Sequence, residues 1–402
     1  MIAVDEALER IARTARALPA ETVPLAEAEG RVLAEPARAR LTHPARAVSA
    51  MDGYAVRRPH PCPAGTRFTV IGEAPAGRPF AGSVAEGEAV RLFTGSVLPQ
   101  GADHVVIQEE AAREDGAITL TEEQPEARFV RPAGGDFSDG ETLLPEGTAL
   151  GPVDLALLAA AGLASVAVHK RPRIALFANG DELVEPGEAP GPGQAVNSTP
   201  YALPGLIRSF GGDPLHLGRA GDSPEAVGAR FDEAARAGAD VAVPIGGASV
   251  GDYDFVRAEA KARYDLVFER VAVRPGKPVW FAKGEAGCAL GLPGNPSSSL
   301  ACALLFLKPL IHALTGRDAA RANRMLTARL TRALPPGSPR EHYMRARIAV
   351  GADGVLEAAP QARQDTSLLT PFAASNALLR RPARAPAAEA GDPVPVLLFG
   401  TL

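Results

Sequence analysis

Cysteine is scarce in this chain of 402 residues: there are three, Cys62, Cys288 and Cys302, with no CxxC and no His-paired spacing. That count excludes a disulfide framework or a zinc cage and leaves the three as bystanders, with Cys302 read as a core residue on a helix. Aromatic residues are also sparse, at 5% with a single Trp. Positive charge is not in surplus: 42 Lys and Arg face 47 Asp and Glu, for a net charge of −5. A general nucleic-acid or anionic-membrane surface is thereby excluded, and any anion site has to be local. Long apolar runs are missing as well. The stretch "LACALLFLKPL" contains Lys308 and Pro309 and falls short of the roughly 18 residues a membrane helix needs. The start, "MIAVDEALERIARTARAL", carries acids and a helical period through Val4, Leu8, Ile11, Ala15 and Leu18. It is unlike a signal peptide, so a cytoplasmic location is expected.

What is present is the composition of an ordinary globular chain, 46% hydrophobic and 22% charged, long enough for two to four domains. From Pro44 to Arg131 the chain is rich in Pro and Gly, with strand patterns in "TRFTVIGEA", "EAVRLFTG", "HVVIQEEA" and "GAITL". These predict an all-β insert. "GPVDLALLAAAGLASVAVHKRP" then reads as helix, stop and strand. From Arg173 strands alternate with helices, which predicts βαβ units and a mainly parallel sheet. "PRIALFA", "ADVAVPI" and "CALGL" are continuous apolar runs, as expected of central strands buried on both faces. "LVFERVAVR" reads as a later strand and "SSSLACALLFLKPLIHALTG" as a helix. From about residue 320 the pattern is β again, with "RRPARAPAAEAGD" as a solvated loop. The expected architecture is multidomain, α/β plus β. Residues 1–44 and 132–170 form a discontinuous linker domain, 45–131 a β-rich insert, 171–319 a three-layer α/β domain, and 320–402 a small all-β domain.

Ligands of open α/β sheets sit beyond the carboxyl ends of the strands, which directs attention to "NGDEL", "GGASVGDYD" and "PGNPSSS". In "GGASVGDYD", Gly246, Gly247 and Gly251 allow a sharp turn that points N–H groups at an anion, with Ser249 adding a hydroxyl; a plain tight turn reads equally well. Asp252 and Asp254, with Asp181 and Glu182, offer hard oxygen ligands for Mg²⁺, although Asp252 also suits a helix N-cap. "RPGKP" presents Arg274 and Lys277 from a stiff segment, suited to a multiply charged anion or, equally, to a solvated turn. In "GLPGNPSSSL", Pro293, Asn295 and Pro296 shape a corner before Ser297 to Ser299, consistent with a helix cap or an anion site.

Taken together, "SAMDGYAV", "FTGSVLPQGADHVVIQEE", "GDEL", "GGASVGD", "RPGKP" and "GLPGNP" resemble the molybdopterin molybdenumtransferases, the MoeA type shared with the E domain of gephyrin. The resemblance implies a homodimer of four-part subunits: a helical linker domain, a β insert, a molybdopterin-binding α/β domain and a C-terminal β-barrel. It implies insertion of molybdate into adenylylated molybdopterin, with release of AMP and a requirement for Mg²⁺. Residue by residue, it implies Asp254 and Glu182 as metal-associated acids, with Arg274, Lys277 and Ser298 at the substrates. Arg345 and Thr366 would come from the barrel to the molybdate pocket, and Asp52 and Thr94 from the partner subunit's insert, with Asp136 nearby. A molybdoenzyme or an adenylyltransferase would be a further partner. The chain departs from the family pattern at Arg46, Ala47 and Val48, at Asn179, and at Ser223. Two alternatives stay open on sequence alone: a molybdopterin adenylyltransferase on the same α/β domain, and a non-catalytic molybdopterin-binding paralogue.

Overall fold

The computed structural model describes residues 1–247, 255–285 and 287–401. At its centre is a six-stranded sheet in the order Asp213–Ala220, Arg173–Asn179, Val241–Ile245, Gly287–Gly291, Trp280–Gly284 and Asp265–Phe268. The first four strands are parallel, Trp280–Gly284 runs against them, and Asp265–Phe268 pairs antiparallel with Trp280–Gly284. Ile174 to Ala178 and Val241 to Ile245 are all buried, because helices cover both faces. One face packs against Thr199–Phe210 and Pro296–Leu314, the other against Pro224–Arg236 and Phe255–Lys261, giving three layers.

One sequence expectation changes here. Residues 1–44 were assigned to the linker, but the helix Val4–Thr14 buries Val4, Ala7 and Ile11 in the α/β core beside Phe306 and Leu310. An amphipathic helix goes to the nearest large apolar face, and the linker is small. The helix read in "SSSLACALLFLKPLIHALTG" is observed as Pro296–Leu314, 19 residues with mean hydropathy 1.5, long and apolar enough to cross a membrane, and it lies mostly inside the protein as the core helix of this layer. Its middle, Ala303–Leu307, is a π-helical turn, which absorbs one extra residue without breaking the helix.

The insert is a β-sheet in the order His104–Ile107, Gly53–Val56, Glu88–Leu92, Arg67–Ala74, Ala117–Leu120 and Ala111–Glu114. "HVVIQEEA" is thus two strands separated by a 3₁₀ turn at Gln108–Glu110. Between insert and α/β sheet, Ala20–Pro24 pairs with Ser165–His169 over a separate core that includes Leu33, Phe137 and Leu158. Towards the C-terminus five strands close a barrel: Glu341–Val350, Leu356–Pro360, Leu326–Leu330, Pro393–Leu398 and Ala377–Arg381, the last pairing back to the first. Arg380 and Arg381, expected in a solvated loop, end a barrel strand, and Arg381 is buried. "LVFERVAVR" also divides. Asp265–Phe268 stays in the α/β sheet, whereas Val273–Arg274 pairs with Glu341 and His342 of the barrel.

Candidate active site

The three central parallel strands end together, and a cleft of ≈ 660 Å³ opens at their carboxyl ends. Its floor is Ala178 and Asn179, Ile245 to Gly247, and Pro293 to Pro296. Gly246 and Gly247 both take positive φ (+93° and +61°). A Cβ on Gly246 would lie 2.7 Å from the Asn179 carbonyl oxygen, and one on Gly247 would overlap Val256, so the strand can turn away from the sheet only with glycine at both places. One wall is the segment that returns to Ala195 to Thr199; the other is Pro278 of the "RPGKP" loop with Ser367 and Leu369 of the barrel.

Of the residues singled out in the sequence, the structure brings Glu182, Gly246, Gly247, Pro293, Asn295 and Pro296 into this one cleft. Thr366 joins through its hydroxyl, which accepts a hydrogen bond from Asn295 Nδ2 at 3.1 Å. Ser298 is buried in the first turn of the core helix. Arg274 and Lys277 are exposed on the loop that contributes Pro278 and do not themselves line the cleft. Arg345 is almost wholly buried, its Nη2 donating to the Arg363 carbonyl at 3.3 Å and its Nε without a partner. Burial lowers its pKa; Asp365 opposes this and Arg274 adds to it. His342 is lowered to about 4, first by burial and then by Arg274, Arg345 and Arg340. Arg274, Arg345 and Arg340 thus lie close enough to bear on His342, though none of them lines the cleft.

Asp52, Thr94 and Asp136 are not brought to the cleft of the same chain. Asp52 Oδ1 accepts from Thr94 N at 2.7 Å and from Thr94 Oγ1 at 2.9 Å, bonds that hold its carboxyl below the usual range. Asp136 is exposed on a turn of the linker. Ser249, Gly251 and Asp254 lie outside the described residues. Among the described residues Glu182 is the only acid lining the cleft, and no group of three or more His, Cys, Asp or Glu is placed to hold a metal. A single carboxylate completed by substrate oxygens is nonetheless a donor set that Mg²⁺ accepts.

The departures at Ser223, Asn179, Ala47 and Val48 have local structural settings, and that at Arg46 has no structural explanation. Ser223 Oγ accepts from Ala226 N at 3.1 Å, capping Pro224–Arg236, a position where Ser and Asp serve equally. Asn179 Nδ2 donates to Asp222 Oδ1 at 2.6 Å. Because a carboxylate only accepts, that bond fixes the amide orientation and leaves Asn179 Oδ1 buried without a partner beside the cleft. Ala47 and Val48 lie in a short ladder, with Leu98 N donating to Ala47 O at 2.8 Å and Val48 pairing with Arg131, bonds any residue can make.

The same architecture is found in known proteins. Residues 2–162 match the MoeA N-terminal region (domain I and II), 175–313 a probable molybdopterin binding domain, and 327–399 the MoeA C-terminal region (domain IV). Proteins named molybdopterin molybdenumtransferase from Bacillus subtilis and Haemophilus influenzae are 33% and 32% identical, over 99% and 95% of this chain and 94% of each relative. This chain belongs to the MoeA family. A crystal structure of the molybdopterin biosynthesis MoeA protein from Pyrococcus horikoshii OT3 covers 99% of this chain and 100% of its own, with TM-score 0.85 and 27% identity. Within that MoeA fold, sequence reasoning missed Asn197, Ser367 and Leu369, and reached Ser297 only as part of a helix cap or anion-binding corner. Asn197 is buried and donates to Glu185 Oε1 at 3.1 Å, holding Glu185 below the usual carboxylate range and tying down the wall that carries Ala195 and Val196. None of the three missed residues stands in a motif with its own chemistry.

Proposed function

We propose that this MoeA-family chain inserts molybdate into adenylylated molybdopterin, with release of AMP, as a Mg²⁺-dependent transferase acting in the cytoplasm. The observation that carries this is the make-up of the cleft. Glu182 and the glycine corner at the strand ends form one side, and Ser367 and Leu369 of the barrel close the other, with Arg345 and Arg274, which bear on each other electrostatically, outside its lining. The first side suits the pterin phosphoanhydride with its metal; the arginines suit a dianion such as molybdate. Glu182, with Asp254, would hold Mg²⁺, whose contribution would be to neutralise phosphate charge as the bond to AMP breaks. No side-chain nucleophile is required. Arg274, Lys277 and the barrel arginine would hold molybdate while the strand-end loops fix the substrate, so that positioning and charge supply the catalysis.

The working unit is a homodimer in this reading. Asp52, Thr94 and Asp136 do not line the cleft of their own chain, which is compatible with their serving the cleft of a second copy. The test is direct: purified protein given adenylylated molybdopterin, molybdate and Mg²⁺ releases AMP and forms cofactor that activates an apo-molybdoenzyme. Asp254→Ala protein should release almost none. ATP consumption in place of AMP release would instead point to the adenylyltransferase.

A further inference from the structure

The two sides of the cleft belong to different domains, and the barrel segment 363–369 is bonded to both. From the barrel itself, Arg345 binds the Arg363 carbonyl, Arg345 N donates to Gln364 Oε1 at 3.0 Å, and Gln364 Nε2 donates to Arg345 O at 2.9 Å. From the α/β domain, Asn295 Nδ2 reaches Thr366 Oγ1, Ser297 N donates to Thr366 O at 3.2 Å, and Ser297 Oγ donates to Leu368 O at 2.5 Å. Ser367 and Leu369, which line the cleft, flank that last carbonyl. Asp365, Ser367 and Leu369 are exposed, so the segment has little burial of its own to keep it in place. Ser297, by contrast, is completely buried on the rigid core helix.

We infer that Ser297 is a positioning residue that clamps the barrel segment 363–369 onto the α/β domain and so sets where the barrel's oxyanion-binding groups stand relative to the rest of the cleft. The identity of the oxyanion rests on the proposed function. The clamp uses two of Ser297's groups at once. Its N–H, free because it lies in the first turn of the helix, meets Thr366 O, and its hydroxyl meets Leu368 O. Losing the hydroxyl leaves the Leu368 carbonyl without this donor and frees the segment to move. Ser299, two residues on, provides the matched control, because its hydroxyl is equally buried and has no partner.

The experiment compares Ser297→Ala with Ser299→Ala in the full-length protein, reading native-state tryptic cleavage after Arg363, equilibrium molybdate binding, and kinetics. Ser297→Ala should be cut after Arg363 roughly tenfold faster and should bind molybdate roughly tenfold more weakly, the scale of one lost buried hydrogen bond. Its KM for molybdate should rise in step, with kcat and the KM for adenylylated molybdopterin changed less than about twofold. Ser299→Ala should match the wild type throughout. Indistinguishable behaviour of the two variants in proteolysis or molybdate binding overturns the inference, and so does an equal weakening of both substrates. Failure of the wild type to release AMP would remove the proposed reaction instead, since cleavage and molybdate binding are read without turnover.

Discussion

At Gly276 the cation loop comes so close to the core helix that no side chain fits. Its φ is +108°, and a Cβ there would overlap Cys302 Sγ, which lies 3.9 Å from the Gly276 carbonyl oxygen. Cys302 is fully buried, and burial raises its thiol pKa, so the sulfur acts as a small packing group under the loop that carries Arg274 and Lys277. Gly276→Ala combines a strained φ with overpacking, and urea unfolding should show a loss of about 2–4 kcal/mol. Gly205, inside the helix Thr199–Phe210 with open space around its missing Cβ, makes the opposite case. There an alanine should add about 0.5–1 kcal/mol. The two glycines are indistinguishable in a list of sequence positions, since what separates them is the neighbour across 26 residues of chain.

Among the elements, burial has caught histidines that stay neutral in the fold. His104 on the insert strand has its pKa lowered chiefly by burial; its Nδ1 accepts from Arg128 N at 2.8 Å and its Nε2 meets Gln124 Oε1 at 3.0 Å. His312 on the core helix is lowered to about 3 by burial, then by Arg317 and Lys308, and His342 on the barrel strand to about 4. Unfolding releases these groups to titrate near 6.5, so below that pH the unfolded chain binds more protons than the folded one. Stability is therefore complete above pH ~6.5 and declines as pH falls towards the folded values. The lowered carboxylates, such as Asp52 and Asp365, add the same sign only below about pH 4.5. The thermal midpoint should thus fall between pH 7.5 and 5.5, with net proton uptake on unfolding; an unchanged or higher midpoint at pH 5.5 would contradict the assignment. Element types were readable from period and composition, as with the buried parallel strands and the core helix. Partners were not: "LVFERVAVR" holds strands of two different sheets, because pairing depends on what lies across the ladder rather than on the strand's own residues.

For the whole molecule, the separation of Asp52, Thr94 and Asp136 from the cleft of their own chain sets up a test of the dimer. Asp52→Ala and Glu182→Ala proteins should each be inactive alone. Co-expressed, they should recover roughly a quarter of the wild-type rate, because half of the randomly formed dimers hold one site with both defects in the other. No recovery would place all of these residues in one chain's site or none. The motifs and the strand-to-helix corners were legible from the residues themselves, because glycine, proline and charged side chains constrain a loop locally whatever surrounds it. The order of strands, the closure of the barrel and the burial of Val4–Thr14 in the α/β layer were settled by packing between distant segments. The same holds for the corner "GLPGNPSSSL". Sequence alone made it a rigid helix start with free N–H groups, fit for a cap or an anion. The tertiary structure gave those groups to the barrel, through Thr366 and Leu368, because only in the folded chain does that segment arrive within hydrogen-bond reach.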